Sequence, residues 1–321
     1  MKPLFYSCML VGLTLLGPMA IAAPVAPQTT SQQTIQGTSV SLTPPPGFTA
    51  SRLFTGFEHT QAGASIMAME LPLPPDAAGS FLNRMSAAET LLTRGMRLLS
   101  VKDMPIGNSP GKLMLVSQSA GGTDYLKWIG ATTVGDRALL VTAAFPAAEA
   151  KTLQEPLRMA IANLTWRPGE QVQRLSGLPF TFQEQGDLKL SERLSNTVIL
   201  ARNGAKPPIP ASEPLLVLGA ASRPQQANDI AQFSRLRLQQ LPEVRDLAET
   251  SGTEIAVAGR DGFELIATAA DSRTATPLTV YQAVIMTQKA YYLVQGIVPT
   301  TSASTYLPIF RNVTQSVVPQ L

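Results

Sequence analysis

The side chains most often used for nucleophilic and metal chemistry are scarce in this chain, which has one histidine, His59, and one cysteine, Cys8. A Ser-His-Asp triad would need His59 as its base beside an activated serine. The run from Phe57 to Thr60 is typical of a turn before a strand, and the sequence predicts no partner beside it. We therefore expect His59 to lie in a surface turn and to have no catalytic role.

Metal and cofactor chemistry also lacks its usual residues. One histidine and one N-terminal cysteine cannot supply the ligands that zinc and copper prefer. A calcium site made of carboxylates is conceivable, but no D-x-D-x-D-G loop is present. No G-x-G-x-x-G or Walker loop occurs either, and Gly121-Gly122 is interpreted as a turn. The sequence thus predicts no catalytic, cofactor-binding or metal-ligating residue, and no cofactor.

The acidic pair Asp124 and Asp136 could suggest glycoside hydrolysis, which needs two carboxyl groups about 5 to 9 Å apart. These residues flank one predicted strand, and each is near glycine. A strand of that length would hold them much further apart, because each residue adds about 3.3 Å. We therefore interpret both as turn-forming residues.

Two further groups of residues remain as candidates. Three arginines form a small cluster in the second half, and they are either a solvated face or a contact for an anion or acidic partner: Arg235, Arg237 and Arg245. Three methionines are interpreted as core-filling residues: Met67, Met69 and Met85.

One supersecondary unit occurs twice, and it must position whatever function the chain has. Residues Asp124 to Leu164 and Pro277 to Val317 both predict strand, tight turn, strand, proline and helix, and they align without a gap. Pro146 then falls on Pro299. On one face of the two helices, four aligned pairs follow helical spacing: Leu153 with Tyr306, Leu157 with Phe310, Ala160 with Val313, and Leu164 with Val317. The chain is therefore predicted to contain two copies of one domain.

The second strand of each unit is apolar on both of its faces. Residues Ala138 to Phe145 are apolar at nearly every position, and Tyr291 to Val298 are similar apart from Gln295 and Gly296. A strand covered on both sides need not alternate. We therefore predict an α+β fold with two tandem three-layer α/β/α sandwich domains, each a mostly antiparallel sheet with helices on both faces.

Three further local features are predicted. A helix runs from Asp76, as its N-cap, to about Arg94, with Phe81, Met85, Ala88 and Leu92 inward. In the second half, Arg223-Pro224 begins a helix that extends to about Gln240. Asp261-Gly262 marks a hairpin turn.

The N-terminal segment predicts export. Residues 1–22 resemble a secretory signal peptide, with Lys2, a short apolar run and a small-x-small cleavage site before Ala23. The apolar run is too short to span a bilayer, and its removal would leave a mature chain without thiol and without a transmembrane span. Polar residues 23–38 predict a disordered leader. We expect a first domain at 39–166, a linker at 167–177 and a second domain at 178–321.

Charge argues against nucleic acid as the partner. The net charge is +3, with 25 basic and 22 acidic residues. Residues 35–168 carry 11 basic and 9 acidic side chains, and residues 171–321 carry 13 and 12. Neither half has the excess of positive charge that nucleic-acid binding or attraction to anionic lipid usually requires.

Three segments resemble the PsbP-like α/β/α sandwich family, in its bacterial DcrB-like branch. These segments are SLTPPPGF at Ser41–Phe48, IMAMELPLPPD at Ile66–Asp76, and the hairpin with its helix at Asp124–Leu164. The resemblance covers the first domain well and the second more loosely. It implies a structural or protein-binding role without enzymatic activity, and it implies no functional residue.

The sequence thus predicts a periplasmic, non-enzymatic accessory factor that binds another envelope protein. One alternative is an enzyme with a carboxylate and arginine site, in which a deep pocket gathers Glu70, Arg84 or Arg94. Another is a binder of a small apolar ligand between the layers or domains.

Overall fold

The computed structural model describes residues 31–74, 77–170, 172–221, 227–288 and 290–320. Over this part, the chain divides into two compact units on either side of the boundary between Gly177 and Leu178. The predicted signal peptide, its cleavage site and Cys8 lie outside the described residues.

The first unit contains ten strands and three α-helices in its described part. In chain order they are β1 (Gln33–Thr34), β2 (Val40–Leu42), β3 (Thr49–Ala50), β4 (Gly56–His59), β5 (Ala64–Pro72), α1 (Ala78–Ser86), α2 (Ala88–Leu92), β6 (Arg97–Ile106), β7 (Ser109–Ala120), β8 (Thr123–Val134), β9 (Arg137–Pro146), α3 (Ala150–Ala162) and β10 (Thr165–Trp166).

Seven of these strands form one sheet in the order β3-β4-β5-β9-β8-β7-β6, with every neighbouring pair antiparallel. Residues Leu139, Val141 and Ala143 of the central strand β9 share a buried cluster with Leu153 and Leu157 of α3. Ala138, by contrast, clusters with Phe81 and Met85 of α1. Alternate residues of one strand thus pack against different helices, as the pleat of a strand dictates.

The second unit contains nine strands and two α-helices in its described part. They are β11 (Phe180–Thr181), β12 (Leu188–Leu194), β13 (Thr197–Arg202), β14 (Leu215–Ala220), α4 (Ile230–Leu238), β15 (Val244–Val257), β16 (Arg260–Asp271), β17 (Pro277–Met286), β18 (Tyr291–Pro299), α5 (Ala303–Gln315) and β19 (Val318–Pro319).

The second sheet repeats the plan of the first. Its order is β12-β13-β14-β18-β17-β16-β15, and all of its neighbouring pairs are antiparallel. In both sheets three early strands lie on one side of the last strand, and the remaining strands follow it in reverse order. The prediction of mostly antiparallel sheets is confirmed.

The closing helices match in length and in the position at which they begin. α3 and α5 both contain 13 residues and begin at the aligned positions Ala150 and Ala303. Leu157 and Phe310 are both fully buried, as the shared periodicity predicts. Pro156 and Pro308 lie inside these helices and not at their first residues.

The first long helix differs from its prediction. It is two helices, α1 and α2, because Ala87 between them has an extended backbone with φ −70° and ψ 127°. The predicted N-cap, Asp76, lies outside the described residues. Leu92, predicted to face inward, is 67 % exposed, while Leu91 is fully buried. Because of this break, the buried face of α2 is not a continuation of the buried face of α1. A single helical periodicity over both segments therefore predicts the wrong buried residue in α2.

In the second half, the helix predicted from Arg223 to about Gln240 is shorter: α4 begins at Ile230 and ends at Leu238, and the described residues 227–229 before it are not helical. Its cap is Asp229, whose side chain accepts a hydrogen bond from the backbone N–H of Gln232 at 2.8 Å. The residues 222–226 lie outside the described part.

The predicted turn at Asp261-Gly262 is wrong. The hairpin between β15 and β16 turns at Ala258-Gly259, where both residues have positive φ, +48° and +71°. Two consecutive left-handed residues are what a type I′ turn requires. Asp261 and Gly262 lie within β16, opposite Ala256 and Ile255.

Part of the segment predicted to be a disordered leader is folded. Gln33 and Thr34 form β1, which pairs with β2, and Ile35 is 1 % exposed in the first core. An isolated isoleucine in a polar run does not by itself indicate burial. Here the pairing of β1 with β2 brings Ile35 into the first core. Residues 23–30 lie outside the described part.

Candidate functional site

An open cavity of about 240 Å³ lies in the second unit, beside the end of β13. Its walls are formed by Ala201 and Arg202 and by the loop that follows them. The lining residues of that loop are Asn203, Ala205, Lys206, Pro208, Ile209, Pro210 and Glu213.

The loop owes its shape to local backbone chemistry. Asn203 and Gly204 both have positive φ, and the N–H groups of Gly204 and Ala205 donate to the carbonyls of Ala201 and Arg202. The chain therefore turns sharply as β13 ends. Further on, the N–H of Glu213 donates to Pro210 O at 2.9 Å, which returns the chain towards β14.

Arg202 is the central side chain of this cavity. Its Nε donates to the hydroxyl of Tyr306 at 3.2 Å and lies 3.2 Å from Glu213 and 3.5 Å from Asp187. Tyr306 in turn donates to Oδ2 of Asp187 at 2.8 Å. The guanidinium is therefore held at its Nε edge by a phenol and two carboxylates from three separate parts of the unit.

The terminal nitrogens of Arg202 remain available. Among the described residues no hydrogen bond uses them, and the side chain is 41 % exposed. The hydrogen bond with Tyr306 raises the pKa of Arg202 further above its usual value, so the charge is permanent. Burial, followed by the hydrogen bond to Asp187, raises the pKa of Tyr306 and keeps its phenol neutral.

This arrangement suits recognition of an anionic group. A guanidinium presents a planar fork of donors that matches a carboxylate. The lining contains two cations, Arg202 and Lys206, and one anion, Glu213, and it contains no serine, threonine, cysteine or histidine. The cavity thus offers charge and shape, and its lining residues carry no hydroxyl, thiol or imidazole group.

His59 has a structural role. Its Nδ1 accepts the N–H of Ala62 at 3.3 Å and so caps a 3₁₀ turn, and its ring packs edge-on against Phe48 at 5.5 Å. The predicted turn therefore exists at the end of β4. Within the described residues, the structure places no triad around this histidine.

One run has the spacing of the serine-hydrolase elbow G-x-S-x-G, from Gly107 to Gly111. It forms the turn between β6 and β7, and Ser109 is the first residue of β7. The hydrolase elbow instead joins a strand to a helix and exposes its serine there. The spacing in this hairpin therefore does not indicate a nucleophile.

Asp124 and Asp136 lie at opposite ends of β8, as predicted. Twelve residues of strand separate them by roughly 40 Å, far beyond the reach of one glycosidic bond. Asp124 accepts a hydrogen bond from Ser119 at 2.5 Å. Gly121 and Gly122, with φ of +58° and +77°, make the hairpin turn beside it.

The structure does not gather Glu70, Arg84 and Arg94 at the cavity. Glu70 accepts the N–H and hydroxyl of Ser39 at 2.6 and 3.0 Å and lies 3.8 Å from Arg137. Its carboxylate thus anchors the N-terminal strands. Arg94 reaches the sulfur of Met85 at 4.0 Å.

The three arginines of the second half have separate environments. Arg235 makes two hydrogen bonds to Glu249, at 2.9 and 3.0 Å. Arg245 lies 3.8 Å from the neighbouring Asp246. Arg237 is only 8 % exposed and stacks over Tyr291, so the interpretation of a solvated face is wrong for this residue.

The methionines differ as well. Met85 is buried in the α1 cluster, as predicted, whereas Met67 and Met69 are only half-buried on β5.

In the part of the chain that the structure describes, no group of three or more metal-ligating side chains comes together. No helix of the same described part is long and apolar enough to cross a membrane.

Sequence reasoning did not identify the cavity. Its key residues are separated by up to 119 positions, and Tyr306 looks like an ordinary core residue of an amphipathic helix. The available signal was the run of prolines from Lys206 to Pro214, which predicts an irregular loop but not its partners.

Comparisons with known proteins give only distant likenesses. No protein-family model matches the sequence, and no curated protein is similar to it at a significant level. The immunity protein TplEi of the Pseudomonas aeruginosa T6SS has 12% sequence identity and a TM-score of 0.34, over 90% of this chain and 97% of its own. LpqN of Mycobacterium tuberculosis, involved in cell envelope biogenesis, has 15% identity and a TM-score of 0.33, over 43% of this chain and 82% of its own. Cyanobacterial PsbP from Synechocystis has 11% identity and a TM-score of 0.33, over 47% of this chain and 100% of its own.

Proposed function

We propose that this chain is an exported periplasmic protein that acts by binding another protein, without catalysis of its own. The observation that carries the proposal is the presentation of Arg202. A tyrosine and two carboxylates hold its Nε edge, while its terminal nitrogens have no hydrogen-bond partner among the described residues. A fixed arginine beside an apolar wall is a common centre of protein interfaces.

The proposed scaffold is a pair of three-layer α/β/α domains, with the boundaries stated above. Alternate residues of β9 support this architecture, because Leu139 and Val141 cluster with α3 while Ala138 clusters with α1. The second sheet behaves in the same way. Its Tyr281 clusters with α5, and the adjacent Gln282 donates to Ser234 of α4 at 2.7 and 2.8 Å. Helices would then cover both faces of each sheet.

Export is proposed from the N-terminal sequence. Residues 1–22 have the charge, the short apolar run and the small residues of a signal peptide. The proposed partner is therefore another protein of the envelope.

Affinity capture from an envelope extract tests the proposal. The tagged mature protein should recover the same partner in repeated experiments, and Arg202→Gln should recover much less of it. Arg235→Gln is the matched control, because Arg235 is an exposed arginine of the same unit that is already paired with Glu249. Failure of the unmodified protein to recover any reproducible partner would contradict the proposed function.

A further inference from the structure

The cavity beside Arg202 has features of a ligand site that go beyond a general contact surface. We propose that it binds an apolar group that ends in a single carboxylate, such as the C-terminal residue of a partner chain or a small free acid. The inference rests on the proposed function in the first of these two cases only.

Charge selects the carboxylate. The lining carries two positive side chains, Arg202 and Lys206, and one negative side chain, Glu213. Asp187 and Glu213 both lie at the Nε edge of Arg202 and offset part of this positive charge, so the terminal nitrogens suit a singly charged group better than a doubly charged phosphate. The terminal nitrogens of Arg202 can donate two parallel hydrogen bonds to the two oxygens of a carboxylate.

Size and polarity select the rest of the ligand. A volume of about 240 Å³ corresponds to roughly eight water molecules at about 30 Å³ each. That is room for one amino-acid residue and is too small for a typical drug-sized ligand. Pro208, Ile209 and Pro210 supply an apolar wall, which suits a branched aliphatic side chain.

The site is formed before any ligand arrives. The hydroxyl of Ser191 donates to Ala205 O, and the Lys206 ammonium donates to Ser191 O. The N–H of Asn203 also donates to Asp187 O at 2.7 Å. Because the loop is already ordered by these bonds, binding has little conformational entropy to remove.

Titration of the whole protein with small probes, followed by ¹H–¹⁵N NMR, tests the inference. N-acetyl-L-leucine should shift the amide signals of Asn203 and Ala205. N-acetyl-L-leucinamide, which lacks the charge, should bind at least about tenfold more weakly, as loss of a charged hydrogen bond predicts. Equal binding of acid and amide, or an absence of shifts in these residues, would overturn the proposal, as would tighter binding of inorganic phosphate.

Two variants act in opposite directions and separate ligand binding from folding. Arg202→Gln should abolish the shifts. Glu213→Gln removes a negative charge from the wall while Tyr306 and Asp187 still hold the Nε edge of Arg202, so it should tighten binding of the acid several-fold. A misfolded cavity cannot produce that gain, so weaker or unchanged binding by Glu213→Gln would contradict the proposal even if Arg202→Gln fails to fold.

A peptide distinguishes the two sources of the carboxylate. A ten-residue peptide that ends in leucine should bind at least tenfold more tightly than N-acetyl-L-leucine if the natural ligand is a chain end. Equal affinity would assign the site to a free acid. If Arg202→Gln still captures the partner, the protein binds a partner as proposed, but the cavity does not bind that partner's C-terminal residue.

Discussion

Gly296 and Phe310 offer the sharpest test of the repeated architecture. In the second unit a Cβ added to Gly296 would lie 2.5 Å from Cδ2 and Cε2 of Phe310. The aligned residues of the first unit are Ala143 and Leu157, both fully buried in one cluster. At this strand–helix contact the second unit has glycine opposite phenylalanine, and the first unit has alanine and leucine at the aligned positions.

Gly296→Ala should therefore destabilise the second unit. Ordinary contacts of a Cβ are 3.4–4 Å, so the ring would have to move by about 1 Å in a packed core. Phe310 has no exposed surface and lies against Tyr281 and Tyr306, with ring centroids 5.9 and 6.1 Å away. Overpacking of this kind costs about 1–3 kcal/mol.

Phe310→Leu should relieve that clash. Alone it removes buried carbon atoms at a cost of about 1–3 kcal/mol. Combined with Gly296→Ala it reproduces the pair found in the first unit. The double variant should therefore be more stable than the sum of the single changes predicts, by about 0.5–3 kcal/mol.

Differential scanning calorimetry measures these changes, with one transition expected for each unit. Each kcal/mol should lower the transition of the second unit by about 3 °C. Leu236→Ala is the control, because this α4 side chain is 52 % exposed and should change stability by less than about 0.5 kcal/mol. A neutral Gly296→Ala, or a double variant that equals the sum of the two single changes, would refute this reasoning.

Three further predictions concern other parts of the molecule. Burial is the largest cause that raises the pKa values of Tyr281, Tyr291 and Tyr306. Their neutral phenols therefore stabilise the folded state fully at pH values below the pKa of an unfolded tyrosine, near pH 10. That stabilisation is lost as the pH rises above this value. Urea unfolding between about pH 8 and about pH 11 should show that loss in the second unit, and a flat profile would contradict it. Asp229→Ala should destabilise α4 by about 1 kcal/mol, because Asp229 caps the N–H of Gln232; equal stability by urea unfolding would show that the cap contributes nothing. The exported protein should begin at Ala23 and contain no thiol, and N-terminal sequencing that finds Met1 would overturn the predicted cleavage.

The repeat could be predicted from sequence because it depends on local patterns. Apolar positions at helical spacing identified Leu157 and Phe310 as buried, and the aligned prolines Pro146 and Pro299 located the ends of β9 and β18. These signals come from residues close in the chain. In the structure, the aligned residues of the two units accordingly occupy the same positions in the corresponding strands and helices.

Other features depend on contacts that no local pattern contains. The break at Ala87 and the left-handed residues at Ala258-Gly259 are backbone conformations that the spacing of apolar residues does not indicate. Arg202 is one of 25 basic residues, and nothing beside it in sequence distinguishes it. Only the fold brings Asp187 and Tyr306 to its guanidinium.

Site-specific photocrosslinking in living cells tests the central claim, partner binding at the cavity, most directly. A benzoyl-phenylalanine at Ala205, an exposed lining residue, should give one discrete crosslinked product with an envelope protein. The same group at the exposed Leu236 of α4 should give none. No product at Ala205, or the same product from both positions, would contradict recognition at this cavity.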